Sequence, residues 1–178
     1  MAPAFEILGG LPGTGPAPEQ FTTHGGTHSE GFVVRVFPRT GATWVGNFQP
    51  GFSPLSAVLE HPDGHKLIVI AGGQAYVIDP ATRLAVATFG CDIQSALVDA
   101  DRNQLIFCNG LWFEALGTAG TSWRSRRVSW DDVRYVHIEG AELRGEGWTP
   151  MGETWHEFVV DLESGAAAGG AYDGPGER

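Results

Sequence analysis

The chain has 178 residues, of which 42% are hydrophobic and 18% charged, so it can bury a sizeable core and disorder of the whole chain is excluded. Its 21 acidic residues outnumber the 11 basic ones and give a formal net charge of −10. This charge disfavours nucleic acid and anionic membranes as partners and favours a basic protein.

Residues 1–30 are rich in proline, glycine and polar residues, which predicts a loop-rich N-terminal arm rather than a pair of strands. The first residues lack the basic start and apolar run of a secretory signal, and no window resembles a membrane span. We therefore expect a cytoplasmic protein that does not contact membranes. Residues 31–178 are expected to form a single all-β domain.

Short apolar runs and tight turns recur after the arm with a step of about 40 residues, which is the period of a propeller blade. The corner in VIDPATRLAVATF lies at Thr82-Arg83, and it has counterparts along the chain at Thr40-Gly41, Gly120 and Ser164-Gly165. A single sheet of four short strands cannot bury both of its faces, so its copies must stack. The sequence predicts an all-β fold, a propeller-like stack of about four short antiparallel sheets; the alternative is a β-sandwich or open barrel.

Individual strands differ in how they distribute apolar residues. KLIVIAG and QLIFC are continuous apolar runs, which predicts inner strands that are buried on both faces. WHEFVVDL alternates instead, with Phe158 and Val160 on one face and Trp155 and Glu157 on the other. This alternation predicts a strand nearer the edge of its sheet.

The candidate metal ligands are two histidine pairs and two cysteines, namely His24 and His28, His61 and His65, and Cys91 and Cys108. The first pair brackets two glycines and the second brackets a Pro-Asp-Gly turn, so no helix holds either pair in chelating geometry. The cysteines match no zinc or redox spacing. We expect no metal, no cofactor and two buried, reduced thiols, with a disulfide as the alternative.

Motifs for catalysis are also missing. The chain has no G-x-S-x-G, P-loop or dinucleotide fingerprint, so no residue is assigned a catalytic role. Four arginines lie within residues 124–134, together with two acids. In a strongly anionic chain this cluster favours ion pairing over nucleic-acid binding.

The segment 131–163 carries nine acids against Arg134 and Arg144, and it also contains two tryptophans. Aromatic residues beside carboxylates are typical of a surface that binds a basic partner. The predicted binding residues are Glu139, Glu142, Glu146, Trp148, Glu153, Trp155 and Glu157. The alternative interpretation is a solvated acidic surface that only aids solubility.

Three C-terminal stretches, SWDDVRYVHIEG, GEGW and ETWHEFVVDLESGAAAGGAY, resemble an uncharacterised family of small β-rich bacterial proteins. That family carries an SWDG turn, a WxxF strand and a closing DLxTG segment with GGxY. Upstream, GFVVRVF, WVGNFQPG and IAGGQAYVIDP are similar to the same family, so the resemblance covers most of residues 31–172. The chain departs at Asp132, where the family prefers Gly, and at Ser164, where it prefers Thr. The resemblance implies a single β-rich domain with no established activity.

These observations favour a non-catalytic, cytosolic bacterial binding protein over an enzyme. The concrete hypothesis is an immunity protein that neutralises a basic toxin through charge complementarity and aromatic anchors. The alternative is a carbohydrate-binding protein or metal-dependent hydrolase that uses Glu153, Glu157, His137 or His156. A homodimer, in which a second copy completes the stack of sheets, is compatible with either hypothesis.

Overall fold

The computed structural model describes residues 4–26, 28–172 and 174. Within these residues the protein forms sixteen strands and no helix, and the strands make four separate four-stranded sheets. The prediction of an all-β chain with four short sheets is confirmed. None of these sheets closes into a barrel within the described residues, which agrees with a stack of sheets.

The first two sheets use the N-terminal half of the chain. Sheet 1 has the order β1-β3-β4-β2 and consists of β1 (Phe5–Leu8), β2 (Glu19–Phe21), β3 (Phe32–Val36) and β4 (Trp44–Phe48). Sheet 2 follows chain order and consists of β5 (Ala57–Glu60), β6 (Leu67–Ala71), β7 (Gln74–Asp79) and β8 (Leu84–Phe89).

The other two sheets follow chain order throughout. Sheet 3 consists of β9 (Ser95–Asp99), β10 (Gln104–Cys108), β11 (Phe113–Gly117) and β12 (Gly120–Arg124). Sheet 4 consists of β13 (Val133–Glu139), β14 (Glu142–Thr149), β15 (Thr154–Asp161) and β16 (Ala167–Gly169). All neighbouring strands are antiparallel except β2 and β4, which are parallel.

The predicted arm, residues 1–30, differs from its expectation because it supplies β1 and β2 to sheet 1. β1 pairs with β3, and the Glu6 carboxylate of β1 forms an ion pair with Arg35 of β3. β2 is only three residues long, yet Phe21 at its end stacks on Phe48 with 4.5 Å between ring centroids. Between these strands, the residues that the structure describes include most of the prolines and glycines of the arm and form no regular structure.

The chain divides into two compact units, Met1–Ile93 and Gln94–Arg178. In the first unit, sheets 1 and 2 share a core in which Phe48 and Tyr76 pack at 5.5 Å. In the second, sheets 3 and 4 share a core in which Phe113 and Phe158 pack at 5.4 Å. The single domain predicted over residues 31–178 stays a prediction.

Buried polar groups in these cores find partners, as burial requires. The Tyr76 hydroxyl donates a hydrogen bond of 2.8 Å to the Gln49 carbonyl, and burial raises the pKa of Tyr76 to about 12. In the second unit, the Trp123 indole N–H donates to the Leu162 carbonyl at 2.8 Å.

The strand faces follow the sequence patterns. Every residue of β6 and β10 is buried, as their continuous apolar runs predict. β15 buries Phe158 and Val160 on one face, but the prediction that it lies near an edge is only half right, because β15 lies between β14 and β16. Since β16 pairs only with residues 158–160, the first half of β15 has a strand partner on one side only.

β8 is unusual among the strands. It forms an edge of sheet 2 and has no charged residue, and Leu84 and Val86 are 61% and 53% exposed. β7, its neighbour, is buried almost throughout. The outermost strand of sheet 2 therefore presents apolar side chains to solvent.

The corners at β7–β8 and β15–β16 have the same design, as the repeat predicts. The Asp79 carboxylate accepts hydrogen bonds from backbone N–H groups two and three residues further on, at 2.9 and 3.2 Å. The Asp161 carboxylate accepts one from the third residue at 2.8 Å. At both corners the fourth residue after the aspartate, Arg83 or Gly165, adopts positive φ and donates to the aspartate carbonyl.

These contacts stabilise the ionised aspartates. The pKa of Asp79 lies below its ordinary value, chiefly because the Ala81 N–H bonds its carboxylate. The pKa of Asp161 is also lowered, first by the Ser164 hydroxyl and then by the Ser164 N–H. A carboxyl group with a lowered pKa in the folded state stabilises the fold above its unfolded pKa, and this contribution is lost as pH falls through the folded pKa.

Asp79→Ala is expected to lower the free energy of unfolding by about 1 kcal/mol at pH 7, because the turn loses its charge-assisted hydrogen bonds. The difference from wild type should shrink as the pH falls below the ordinary pKa of 3.8 and through the lower pKa of folded Asp79, because the carboxyl is then protonated in both states. Urea unfolding at several pH values measures this. Asp101→Ala, which removes an exposed carboxylate from the β9–β10 turn, is the control. Equal destabilisation at pH 7 and pH 2.5 would contradict the role of the Asp79 charge.

Candidate binding face

Sheet 4 has one buried and one outward face because β14 alternates strictly. Leu143, Gly145, Gly147 and Thr149 are buried, whereas the residues between them are partly exposed. Successive side chains of a strand point to opposite faces, so the partly exposed set shares one surface. This set consists of Glu142, Arg144, Glu146 and Trp148.

The pairing register extends this surface across β15. Trp148 lies opposite Trp155, and Glu146 lies opposite Glu157. On the other side, Glu139 of β13 lies opposite Glu142. Six of the seven predicted binding residues therefore share one face, which we call the binding face and define as Glu139, Glu142, Glu146, Trp148, Trp155 and Glu157 together with Arg134, Tyr135, His137 and Arg144. The binding role of these residues stays a prediction.

The seventh predicted residue, Glu153, lies apart from the strands of this face. It is exposed in the turn between β14 and β15 and adopts a φ of 48°. Thr149 opposite Thr154 is the last pair between β14 and β15, next to the pair of Trp148 and Trp155. Glu153 therefore lies just beyond the end of this strand pair.

Arginines balance much of the acidic charge, which the sequence count did not reveal. The Arg134 Nε atom lies 2.7 Å from Glu146 Oε2, and its guanidinium lies 4.3 Å from the centre of a Trp155 ring. Arg144 pairs with Glu139 at 2.9 Å and with Glu142 at 2.5 Å. Three of the predicted acids are thus held in ion pairs, two between β13 and β14 and one, that of Glu142, within β14.

Glu157 differs from the other acids of the binding face. Among the described residues its carboxylate has no hydrogen bond or ion pair, and it is exposed. It lies directly opposite Glu146, and like charges at such positions repel each other. Because Glu146 is paired with Arg134, Glu157 is the residue of this opposed pair whose charge has no partner among the described residues.

Tyr135 stands in a bulge of β13. The register between β13 and β14 shifts between Arg134 and His137, and Tyr135 has a φ of 54° and is 71% exposed. The His137 Nδ1 atom lies 2.8 Å from the Tyr135 carbonyl. A bulge of this kind re-aims a side chain, and here it leaves an aromatic ring in solvent.

A shallow depression of about 190 Å³ lies on the binding face beside this bulge. On the core side of β14, Gly145 is closely packed, because a Cβ atom there would come within 2.7 Å of the Phe158 ring and 3.0 Å of the Arg134 carbonyl. The side chains around the depression include Tyr135, His137, Arg144, Glu146, Glu157 and Val159.

The residues of the hydrolase alternative do not converge. His137 and Glu157 both line the depression. His156 pairs with Gly147 in the register and therefore points to the opposite face from Glu157. Glu153 lies in the β14–β15 turn.

Other candidate ligands also lie apart from the binding face. No group of three His, Cys, Asp or Glu residues suited to a metal ion occurs in the described parts of the chain. The buried His61 accepts a hydrogen bond from the Asp63 N–H through Nδ1 at 3.1 Å. Neither cysteine forms a disulfide, and Cys108 is buried as expected, but Cys91 is exposed because it lies in the connection after β8.

The arginine cluster at residues 124–134 only partly follows the expected ion pairing. Arg124 pairs with Glu114 at 2.7 Å, and Arg134 pairs with Glu146. The other two arginines donate to backbone carbonyls, with Arg126 bonding Gly169 at 2.6 Å. The fourth, Arg127, bonds the Ser129 carbonyl at 2.8 Å and stacks 4.5 Å from the centre of the Tyr172 ring. Through Gly169 and Tyr172, these two arginines contact the segment that follows β15.

Comparison with known proteins adds little to this geometry. No protein-family model and no curated protein sequence matches the chain. Among solved structures, a chain titled "Crystal structure of the eukaryotic initiation factor" is similar, with a TM-score of 0.44 and 11% identity. The similarity covers 78% of this chain and 39% of that one, so the chain spans well under half of its length. A helix able to cross a membrane is not found among the described residues.

Arg134→Ala is expected to lower the free energy of unfolding by about 1 kcal/mol, because both the ion pair with Glu146 and the stacking on Trp155 are lost. Arg134→Lys should recover only part of this, since an ammonium group can pair with Glu146 but cannot stack as a plane on the indole. Urea unfolding followed by tryptophan fluorescence measures both variants. Wild-type stability of the lysine variant would show that stacking contributes nothing, and identical stability of the alanine and lysine variants would show the same of the ion pair.

Proposed function

We propose that the protein is a non-catalytic, cytosolic bacterial binding protein whose binding face docks on a basic protein. The observation that carries this proposal is the direct opposition of Trp148 and Trp155 on a face where carboxylates outnumber guanidiniums. Tryptophans of this kind dominate binding energy when a partner covers them.

The arrangement of charge supports a protein partner. Arg134 and Arg144 hold Glu146, Glu139 and Glu142 in place, so these carboxylates are ordered before binding. Ordering in advance lowers the conformational entropy lost on association. The net negative charge of the face and of the whole chain would speed the approach of a basic partner.

An immunity protein that neutralises a basic toxin is the concrete form of this proposal. Such a protein needs no catalytic group, and its work consists of covering a basic surface with a complementary one. Ion pairing of Glu146 with Arg134 also suits this role better than acid–base catalysis, because a catalytic carboxylate must be available to its substrate.

Capture of partners from a bacterial lysate tests the proposal. Trp155→Ala is expected to weaken retention of the partner by about 2 kcal/mol, roughly 30-fold, because a buried aromatic anchor is lost. Glu153→Lys combined with Glu157→Lys should weaken binding and flatten its dependence on salt. Mass spectrometry identifies the captured protein, and titration of the purified pair gives the affinities.

Glu60→Lys combined with Asp101→Lys is the matched control for the double variant, because it makes the same change of charge at two exposed positions outside the binding face. Circular dichroism checks that each variant remains folded. Capture of the same proteins by wild type, Trp155→Ala and the Glu153 and Glu157 variant would exclude the binding face as the docking surface.

A further inference from the structure

The depression beside Glu157 is small for a cofactor or an oligosaccharide. Its volume of about 190 Å³ lies below the roughly 300–1,000 Å³ of sites that enclose small molecules. It is open to solvent on one side of β15, where β16 is too short to cover residues 154–157. A space of this size suits the head group of one side chain presented by a partner.

The charges that face the depression favour a cation. Arg144 is shared by two carboxylates, those of Glu139 and Glu142, and Arg134 is paired with Glu146. His137 directs its Nδ1 atom to the Tyr135 carbonyl. Of the two carboxylates that line the depression, that of Glu157 has no ion pair among the described residues, and a cation beside it would also relieve its repulsion with Glu146.

The binding face already contains one example of the recognition that this depression offers. The Arg134 guanidinium bonds a carboxylate of the face and lies 4.3 Å from the Trp155 ring and 4.9 Å from the Tyr135 ring. A planar guanidinium can bond a carboxylate with two N–H groups and stack on an aromatic ring at once. An ammonium group offers a weaker match, because it is compact and more strongly hydrated.

We infer that the depression binds the guanidinium of an arginine side chain on the partner, with Glu157 as its carboxylate and Tyr135 as an aromatic wall. This inference rests on the proposed function and adds the chemistry of one partner residue. The exposed ring of Tyr135 and the unpaired carboxylate of Glu157 both line the depression. A partner arginine would therefore complete the charge pairing of the face.

Titration of the full chain with N-acetyl-arginine amide, followed by two-dimensional ¹H–¹⁵N NMR, tests this inference. Chemical-shift changes are expected in residues 134–137 and 144–159, with a dissociation constant in the range of about 1–10 mM for a single side chain. N-acetyl-citrulline amide has nearly the same shape without the charge and should bind at least about tenfold more weakly, because its head group forms no charge-assisted hydrogen bond.

Two variants and one control locate the site. Glu157→Gln keeps the shape of the side chain and should weaken binding of N-acetyl-arginine amide about fivefold or more. Tyr135→Asn removes the ring while accepting positive φ and should weaken it in the same direction. Glu163→Gln, an exposed position in the β15–β16 turn, should bind as wild type does.

Equal binding of the arginine and citrulline amides, or an unchanged affinity of Glu157→Gln, would overturn the inference. If a neutral monosaccharide reversed the chemical-shift changes that N-acetyl-arginine amide produces, the inference would be overturned in favour of a sugar site. Failure here is separable from failure of the proposed function. A captured partner that still depends on Trp155 sustains the docking face without the arginine pocket, whereas arginine-selective shifts would sustain the pocket by themselves.

Discussion

Burial of both faces of a central strand is the constraint on which the whole structure depends. β6 and β10 are buried at every residue, and a four-stranded sheet in water leaves at least one face of its central strands exposed. Other parts of the protein must therefore cover these strands, and in each unit one of their faces packs in a core that two sheets share. Turns, corners and aromatic contacts then adjust the fit of each pair.

The same constraint explains why sheet 4 can offer a surface. Its central strand β14 alternates between buried and partly exposed residues, so only one of its faces is committed to the core. The short β16 leaves the first half of β15 uncovered along one side. Trp155 and Glu157 lie in this uncovered half, which places the aromatic and acidic side chains where another molecule can reach them.

Much of the fold follows from patterns that are local in sequence. The recurrence of apolar runs and corners predicts four sheets, because each corner is closed by nearby groups, as Asp79 and Asp161 show. Strand β2 was missed because three residues paired in parallel with β4 carry no local signal. The exposure of Cys91 also has no local signal, since the length of a connection does not show whether its residues are buried or exposed.

The site was predictable only in part. Alternation along WHEFVVDL correctly separates Trp155 and Glu157 from Phe158, but it does not give the partner of any charge. The pairing of Arg134 with Glu146 depends on the register of β13 and β14, which are twelve residues apart at that point. The bulge at Tyr135 is still harder to foresee, because a tyrosine has no intrinsic preference for positive φ.

The uncharged outer strand of sheet 2 has a consequence for how the protein behaves at high concentration. A free backbone edge flanked by Leu84 and Val86 can add a strand from a neighbouring molecule, and β8 contains neither a proline nor a charge to prevent this. Long-range repulsion between molecules that each carry a formal charge of −10 acts against such contact. Colloidal stability therefore rests on electrostatics rather than on the shape of the edge, and concentrated salt or a pH near 4.9 removes that protection.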